Sequence, residues 1–195
     1  MEWDNLYKKK TFRHKNLWPD NLIIQSISSN FTETIKKPKI KVLELGFGWG
    51  NNLRYFKEKK FNYYGIEQSK TAFLHCKKNG YKNIYNGNFI DLTMFKDNYF
   101  DCIVDRQSLQ HNNFKKIQEI VDNLYFKLKP KGLFFSHLIS KANYNVKTTY
   151  FDKKKILKVF KKFNIKKIEK HIRKNVKNYE LSNTHEFYNL ELEKL

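Results

Sequence analysis

Val42-Leu43-Glu44-Leu45-Gly46-Phe47-Gly48-Trp49-Gly50-Asn51-Asn52 reads as a buried strand that breaks into a glycine turn and opens a helix. Ile40, Val42, Leu43 and Leu45 supply the apolar strand. Gly46, Gly48 and Gly50 remove Cβ atoms where the backbone bends sharply or lies against a ligand. The next strand-like run, Phe61 to Ile66, ends in Glu67, twenty-one residues after Gly46. Nucleotide-binding βαβ units place an acid for the ribose hydroxyls at about that interval. Taken alone, the glycines would also suit a plain tight connection. Strand, turn, helix and acid together imply a nucleotide-cofactor site.

The spacing narrows the cofactor. A dinucleotide fingerprint has its third glycine five residues after the first, so that a pyrophosphate sits on the helix N-terminus. Here the third glycine comes after four, and Glu44 stands two residues before the first. This E-x-G-x-G-x-G string resembles the first motif of the class I S-adenosylmethionine-dependent methyltransferases. The resemblance implies that the glycine backbone packs against the methionine part of S-adenosylmethionine, with Glu44 near its ammonium and Glu67 on the ribose. Gln68, beside Glu67, belongs to the same expected cofactor set.

Three further segments resemble the family in the same order. Gly87-Asn88-Phe89-Ile90-Asp91-Leu92 looks like its adenine loop, with Asn88 where many members have Asp. An Asn side-chain carbonyl can accept the same hydrogen bond from the adenine amino group. Tyr99 to His111 resembles the fourth strand and the loop after it, and Leu128-Lys129-Pro130-Lys131-Gly132-Leu133 is close to the turn often written L-K-P-G-G. The resemblance therefore covers residues 40 to 138. It implies an α/β, Rossmann-like, doubly wound and mostly parallel seven-stranded sheet, with an antiparallel C-terminal strand and helices on both faces.

The hydrophobic pattern fits that architecture in one domain, with residues 1–38 as a lead-in and first helix and 39–195 as the catalytic core. Pro19 to Phe31 reads as the first helix, 39–45 as strand one, 50–60 as a helix and 61–67 as strand two. A helix over 69–79, a short strand at 82–86, a strand at 100–105, a helix from Asn113 to Leu128 and a strand from Gly132 to Leu138 follow. Asp152 caps a helix with apolar positions Ile156, Leu157, Val159, Phe160 and Phe163. Ile165 to Val176 and Phe187 to Leu192 read as two extended segments.

In such a sheet the ligand lies beyond the carboxyl ends of the strands, where the strand order reverses. His111 ends the loop after strand four and is the candidate base for a hydroxyl acceptor, since imidazole holds a proton near neutral pH; a helix-entry histidine is the bland alternative. Arg106 is assigned to the cofactor set; it holds an anionic acceptor or pairs with Asp105 or another acid. His137, Trp18 and Tyr144 are the candidate acceptor contacts, against a buried hydrogen-bonded histidine, an aromatic staple and a plain loop. Trp3, Tyr7 and Trp18-Pro19 resemble the lead-in with which some family members cover the cofactor. No metal is implied.

Several chemistries are disfavoured. Asp105-Arg106-Gln107-Ser108 stands where amino-methylating nucleic-acid enzymes carry D/N-P-P-Y/F, and neither cysteine follows a proline, as a cytosine C5 nucleophile does. With two distant cysteines, no long apolar run and no secretory head, the 195 residues read as a cytoplasmic, soluble protein without a membrane span. The net charge of +20 invites a nucleic-acid reading. Yet 35 of the 39 basic residues are lysine, scattered in short clusters on polar helix faces, as compositional bias in an AT-rich genome would leave them. The expected acceptor is therefore a hydroxyl of a small polar metabolite, anionic or sugar-linked, such as a nucleotide-linked or surface-polysaccharide sugar. RNA modification and a non-catalytic, cofactor-binding partner subunit stand as alternatives.

Overall fold

Val42 and Leu43 are adjacent in β1 (Lys41–Leu45) and fully buried in two different apolar clusters, so the first strand is covered on both faces. The computed structural model describes residues 2–9, 18–31, 40–142, 147–177 and 180–195. Around β1 lie β2 (Asn62–Glu67), β3 (Ile84–Asn86), β4 (Phe100–Arg106), β5 (Leu128–Lys141), β6 (Phe163–Lys177) and β7 (Glu180–Lys194). They form one sheet in the order β3-β2-β1-β4-β5-β7-β6. The pairs among β1 to β5 are parallel, and β7 runs antiparallel to both β5 and β6. The strand order reverses between β1 and β4, which opens the ligand crevice there.

Among the described residues six helices accompany the sheet: α1 (Glu2–Lys8), α2 (Asn21–Asn30), α3 (Asn51–Glu58), α4 (Lys70–Lys78), α5 (Phe114–Lys127) and α6 (Lys153–Val159). Local chemistry starts four of them. Asp20, Ser69, Asn113 and Asp152 each accept a backbone N–H from the first turn of α2, α4, α5 and α6. Ile117, Ile120, Val121 and Leu124 of α5 join Ile156 and Val159 of α6 over Leu43, Ile103 and Phe134. On the opposite face, Ile23 and Ile27 of α2 and Leu53 and Phe56 of α3 pack over Val42, Val104 and Phe135.

Three boundaries differ from the sequence reading. β5 begins at Leu128 because Pro130-Lys131-Gly132 is a bulge within the strand: the register shifts between Phe100 and Cys102, and Lys131 takes φ 63°. Leu157 is 49% exposed on the outer face of α6, and Phe163 opens β6. The N-terminal aromatics lie on a helix, α1, that the sequence pattern did not announce. Tyr144 lies outside the described residues.

Candidate active site

The chain leaves β1 at Gly46, whose φ of +63° belongs to the left-handed region. A Cβ there would collide with the Ser108 side chain, so the turn after β1 and the loop after β4 touch across the crevice. Gly48 has φ +53°, and its Cβ would stand 2.6 Å from the Tyr7 hydroxyl oxygen of α1. The glycine backbone thus packs under a helix. Asp4 secures that helix by accepting from Ser69 Oγ at 2.9 Å and Thr71 N at 2.8 Å.

Beneath α1 lies a cavity of about 380 Å³. Its walls bring together Glu44, Gly46, Gly48, Glu67, Gln68, Asn88, Phe89, Arg106 and His111 from the expected site. Gly50 is absent from the wall; it turns the chain into α3 with φ +80°, and a Cβ would meet Cys76 Sγ at 2.9 Å. Trp3, Leu6, Tyr7, Phe47, Trp49, Asn51, Asn52, Gln107, Ser108 and Asn112 complete the lining.

Two carboxylates define the cavity's polar ends. Glu44 Oε1 accepts from Asn52 Nδ2 at 2.7 Å, while Oε2 is buried with no partner among the described residues. Burial pushes the Glu44 carboxyl up to about 8, against the opposing pull of Asn52 and Arg106. Glu67 accepts from Gly48 N through Oε2 and from Ser69 N through Oε1, both at 2.8 Å. Burial raises its carboxyl as well, partly offset by those amides. The acid at the end of β2 therefore holds the glycine turn in place, and only its remaining lone pairs face a ligand. Asn88 Oδ1 accepts from Ile90 N at 3.1 Å, which fixes the side chain at the cavity wall.

β4 delivers the other side. Asp105 is fully buried and accepts from Ser108 N, Leu109 N and Ser136 Oγ, so it shapes the loop and does not pair with Arg106. Burial pushes its carboxyl up to about 6. Arg106 instead donates from Nε to Asp20 Oδ2 at 2.7 Å, at the start of α2. His111 follows on a 3₁₀ turn (Leu109–His111), packed edge-on to Trp3 with centroids 4.5 Å apart. Its Nδ1 lies 3.4 Å from the Lys147 carbonyl oxygen and 3.4 Å from Thr148 Oγ1. Burial lowers the imidazole below its ordinary range, with the backbone carbonyl contact opposing.

Two expected acceptor contacts sit elsewhere. His137 is 1% exposed on β5 opposite Asn189 of β7, and burial holds it down at about 4, so it is a neutral core histidine and lines neither cavity. Trp18 is 71% exposed and lines a neighbouring cavity that shares Asn51, Asn52 and Arg106 with the first. The sequence motifs did not single out Asn52, which accepts from Asp20 N and donates to Glu44, both tertiary contacts. Among the described residues no cluster of His, Cys, Asp and Glu is placed to hold a metal ion.

Comparison with known proteins agrees with this geometry. The family described as "Methyltransferase domain" matches residues 43–136, the stretch from β1 to β5 that builds the crevice. Residues 43–136 form a class I S-adenosylmethionine-dependent methyltransferase domain. The methyltransferase fold is shared with a SAM-dependent methyltransferase from Methanosarcina mazei at TM-score 0.67 and 14% identity, covering 85% of this chain and 97% of that one. A SAM-dependent methyltransferase from Archaeoglobus fulgidus gives 0.67 at 13% identity, covering 88% and 93%. The 1,6-didemethyltoxoflavin-N1-methyltransferase of Burkholderia thailandensis, solved with bound 1,6-didemethyltoxoflavin and S-adenosylhomocysteine, gives 0.65 at 16% identity, covering 92% and 81%. No curated protein matches the chain in sequence.

The cofactor is S-adenosylmethionine, and the cavity's residues fit it. An orphaned, buried carboxylate oxygen at Glu44 suits an ammonium, whereas an apolar group would leave it unsatisfied. Phe89 and the Trp49 ring offer apolar wall, and Glu67 and Gln68 offer polar groups at the end of β2.

Proposed function

We propose that this methyltransferase transfers the methyl group to a hydroxyl of a small polar metabolite in the cytoplasm, with nucleotide-linked or surface-polysaccharide sugars as the leading class. The observation that carries this reading is the setting of His111. It lies on the cofactor cavity with Nδ1 turned to the Lys147 carbonyl, an arrangement that favours the tautomer with an unprotonated Nε2. Burial keeps the ring neutral at pH 7. A neutral imidazole beside a bound hydroxyl accepts its proton as the new bond forms.

S-adenosylmethionine, when bound, supplies an electrophilic methyl on a sulfonium. The protein's own contribution is placement. Glu44 and Arg106, on one cavity wall, offer complementary charges to the ammonium and carboxylate of an amino-acid group. Glu67 and Gln68 offer hydrogen bonds to ribose, and Asn88 and Phe89 border the adenine region. Trp3, Leu6 and Tyr7 cover the cavity and exclude water. Positioning of this kind contributes about 7–11 kcal/mol to a bimolecular transfer. The toxoflavin relative, whose acceptor is a small molecule, supports a small acceptor here. The buried free thiols of Cys76 and Cys102 support a reducing compartment.

The test is turnover of S-adenosylmethionine to S-adenosylhomocysteine across activated sugars, small hydroxy acids, small amines and total RNA. Turnover dependent on a hydroxylated small molecule supports the proposal. Turnover with RNA or amines alone refutes it.

A further inference from the structure

The chain has four arginines, and three of them gather at one place. A second cavity of about 270 Å³ adjoins the cofactor cavity through Asn51, Asn52 and Arg106. Arg106 forms one side and Arg173, exposed on β6, another. Arg54 is outside the lining and ion-paired with Glu58 at 2.9 Å, its guanidinium 5.6 Å from the centre of the Trp18 ring that lines the cavity. In a chain whose other described cations are lysines, this concentration of guanidinium groups is a chemical signal: the planar fork engages carboxylate and phosphate oxygens in pairs, which an ammonium cannot.

The charges do not cancel within the cavity. Asp20 is its one carboxylate and is already engaged by Arg106 Nε at 2.7 Å. Arg173 makes no ion pair among the described residues; its guanidinium rests 5.4 Å from the Phe187 ring centre, which holds it at the wall. The positive field reaches His185, which burial first and then Arg173 and Arg106 hold below its ordinary range. Asn21 and Asn51, the first residues of α2 and α3, also line the cavity, so the positive ends of both helices add to the field.

We propose that this second cavity seats the anionic group of the methyl acceptor, a carboxylate or a phosphate, with Arg173 as the specificity-determining contact. The inference rests on the proposed transfer to a small acceptor and names its class. The shared wall lets one molecule hold its anion against Arg173 while its nucleophile reaches the cofactor cavity. The exposed Trp18 indole offers a face on which a planar substituent of that molecule stacks.

The experiment titrates the full chain, saturated with S-adenosylhomocysteine, with inorganic phosphate and separately with acetate at constant ionic strength, following the Trp18 indole resonance by NMR. Saturable binding of at least one anion is expected, and the arm that binds tells phosphate from carboxylate. Arg173→Gln should weaken it tenfold or more, Arg173→Lys should restore part, and Lys161→Gln, which removes an equal charge from an exposed site in the turn after α6, should change nothing. S-adenosylhomocysteine affinity should be the same in all variants. Equal anion binding by wild type and Arg173→Gln, or no saturable anion binding, would overturn the inference and leave the proposed transfer standing. So would an Arg173→Gln that weakens S-adenosylhomocysteine, because the cavity would then serve the cofactor's own carboxylate. No binding of S-adenosylhomocysteine by the wild type would overturn both.

Discussion

Asn52 Nδ2 donates to Glu44 Oε1 at 2.7 Å, and the second oxygen of that carboxylate is buried without a hydrogen-bond partner among the described residues. The site is thus satisfied on one side and waiting for a cation on the other. Burial places the Glu44 carboxyl at about 8, so without ligand it is largely protonated at pH 7. A bound ammonium favours the ionised form, so binding releases a proton. The affinity for S-adenosylhomocysteine should therefore rise as pH goes from 6 to 7.5, by up to about tenfold per unit, and Glu44→Gln should flatten the dependence. Calorimetry in buffers of different ionisation enthalpy reads the released proton directly.

The same group makes an opposite prediction for the ligand-free fold. The folded state binds more protons than the unfolded one between the ordinary carboxyl value of 4.5 and about 8. Glu44 therefore favours the fold below that window and loses this advantage as pH rises through it. Glu44→Gln should show a smaller loss of melting temperature between pH 6 and 8 than the wild type. An identical pH dependence in the two proteins would contradict the buried, unpaired state of Oε2.

Gly48→Ala should separate backbone strain from contact. At φ +53° a Cβ costs about 1 kcal/mol, and the Tyr7 hydroxyl 2.6 Å away adds a clash that displaces α1 from the cavity. Tyr7→Phe in the same chain should recover part of the lost cofactor affinity by removing that oxygen. No recovery in the double variant would place the whole effect in the backbone.

Much of this was legible in the sequence. The apolar run through Val42 and Leu43, the glycines and the acid at Glu67 announced strand, turn and cofactor end, because hydrophobicity and backbone freedom are local properties. What escaped was set by distant partners. Arg106 pairs with Asp20, not its neighbour Asp105, because the Asp105 oxygens are taken by Ser108, Leu109 and Ser136. α1 is held by Asp4 against Ser69 and Thr71, and seven residues of mixed charge carry too short an apolar stripe to announce a helix. His137 is in the strand where it was expected, but pairing with β7 buries it away from the cavities. The Pro130-Lys131-Gly132 segment read as a turn and is a bulge, a distinction that depends on the register with β4.

The lysine-rich surface carries a salt prediction. Exposed lysines such as Lys153, Lys154 and Lys158 of α6 neutralise phosphates without reading bases. Association with total RNA should be weak and should collapse between about 50 and 200 mM salt. Tight, sequence-selective binding at physiological salt, measured by filter retention, would favour RNA as the acceptor over a small metabolite.

The most direct test of the central claim is the pH–rate profile of methyl transfer at saturating cofactor, for the wild type and for His111→Gln, using an acceptor that supports turnover. With His111 as base, the wild-type rate falls as pH drops through an imidazole titration below the ordinary 6.5, as its burial requires. His111→Gln loses about 10²–10⁴-fold in kcat with S-adenosylhomocysteine affinity nearly unchanged. A variant with full activity and a flat profile would contradict the account.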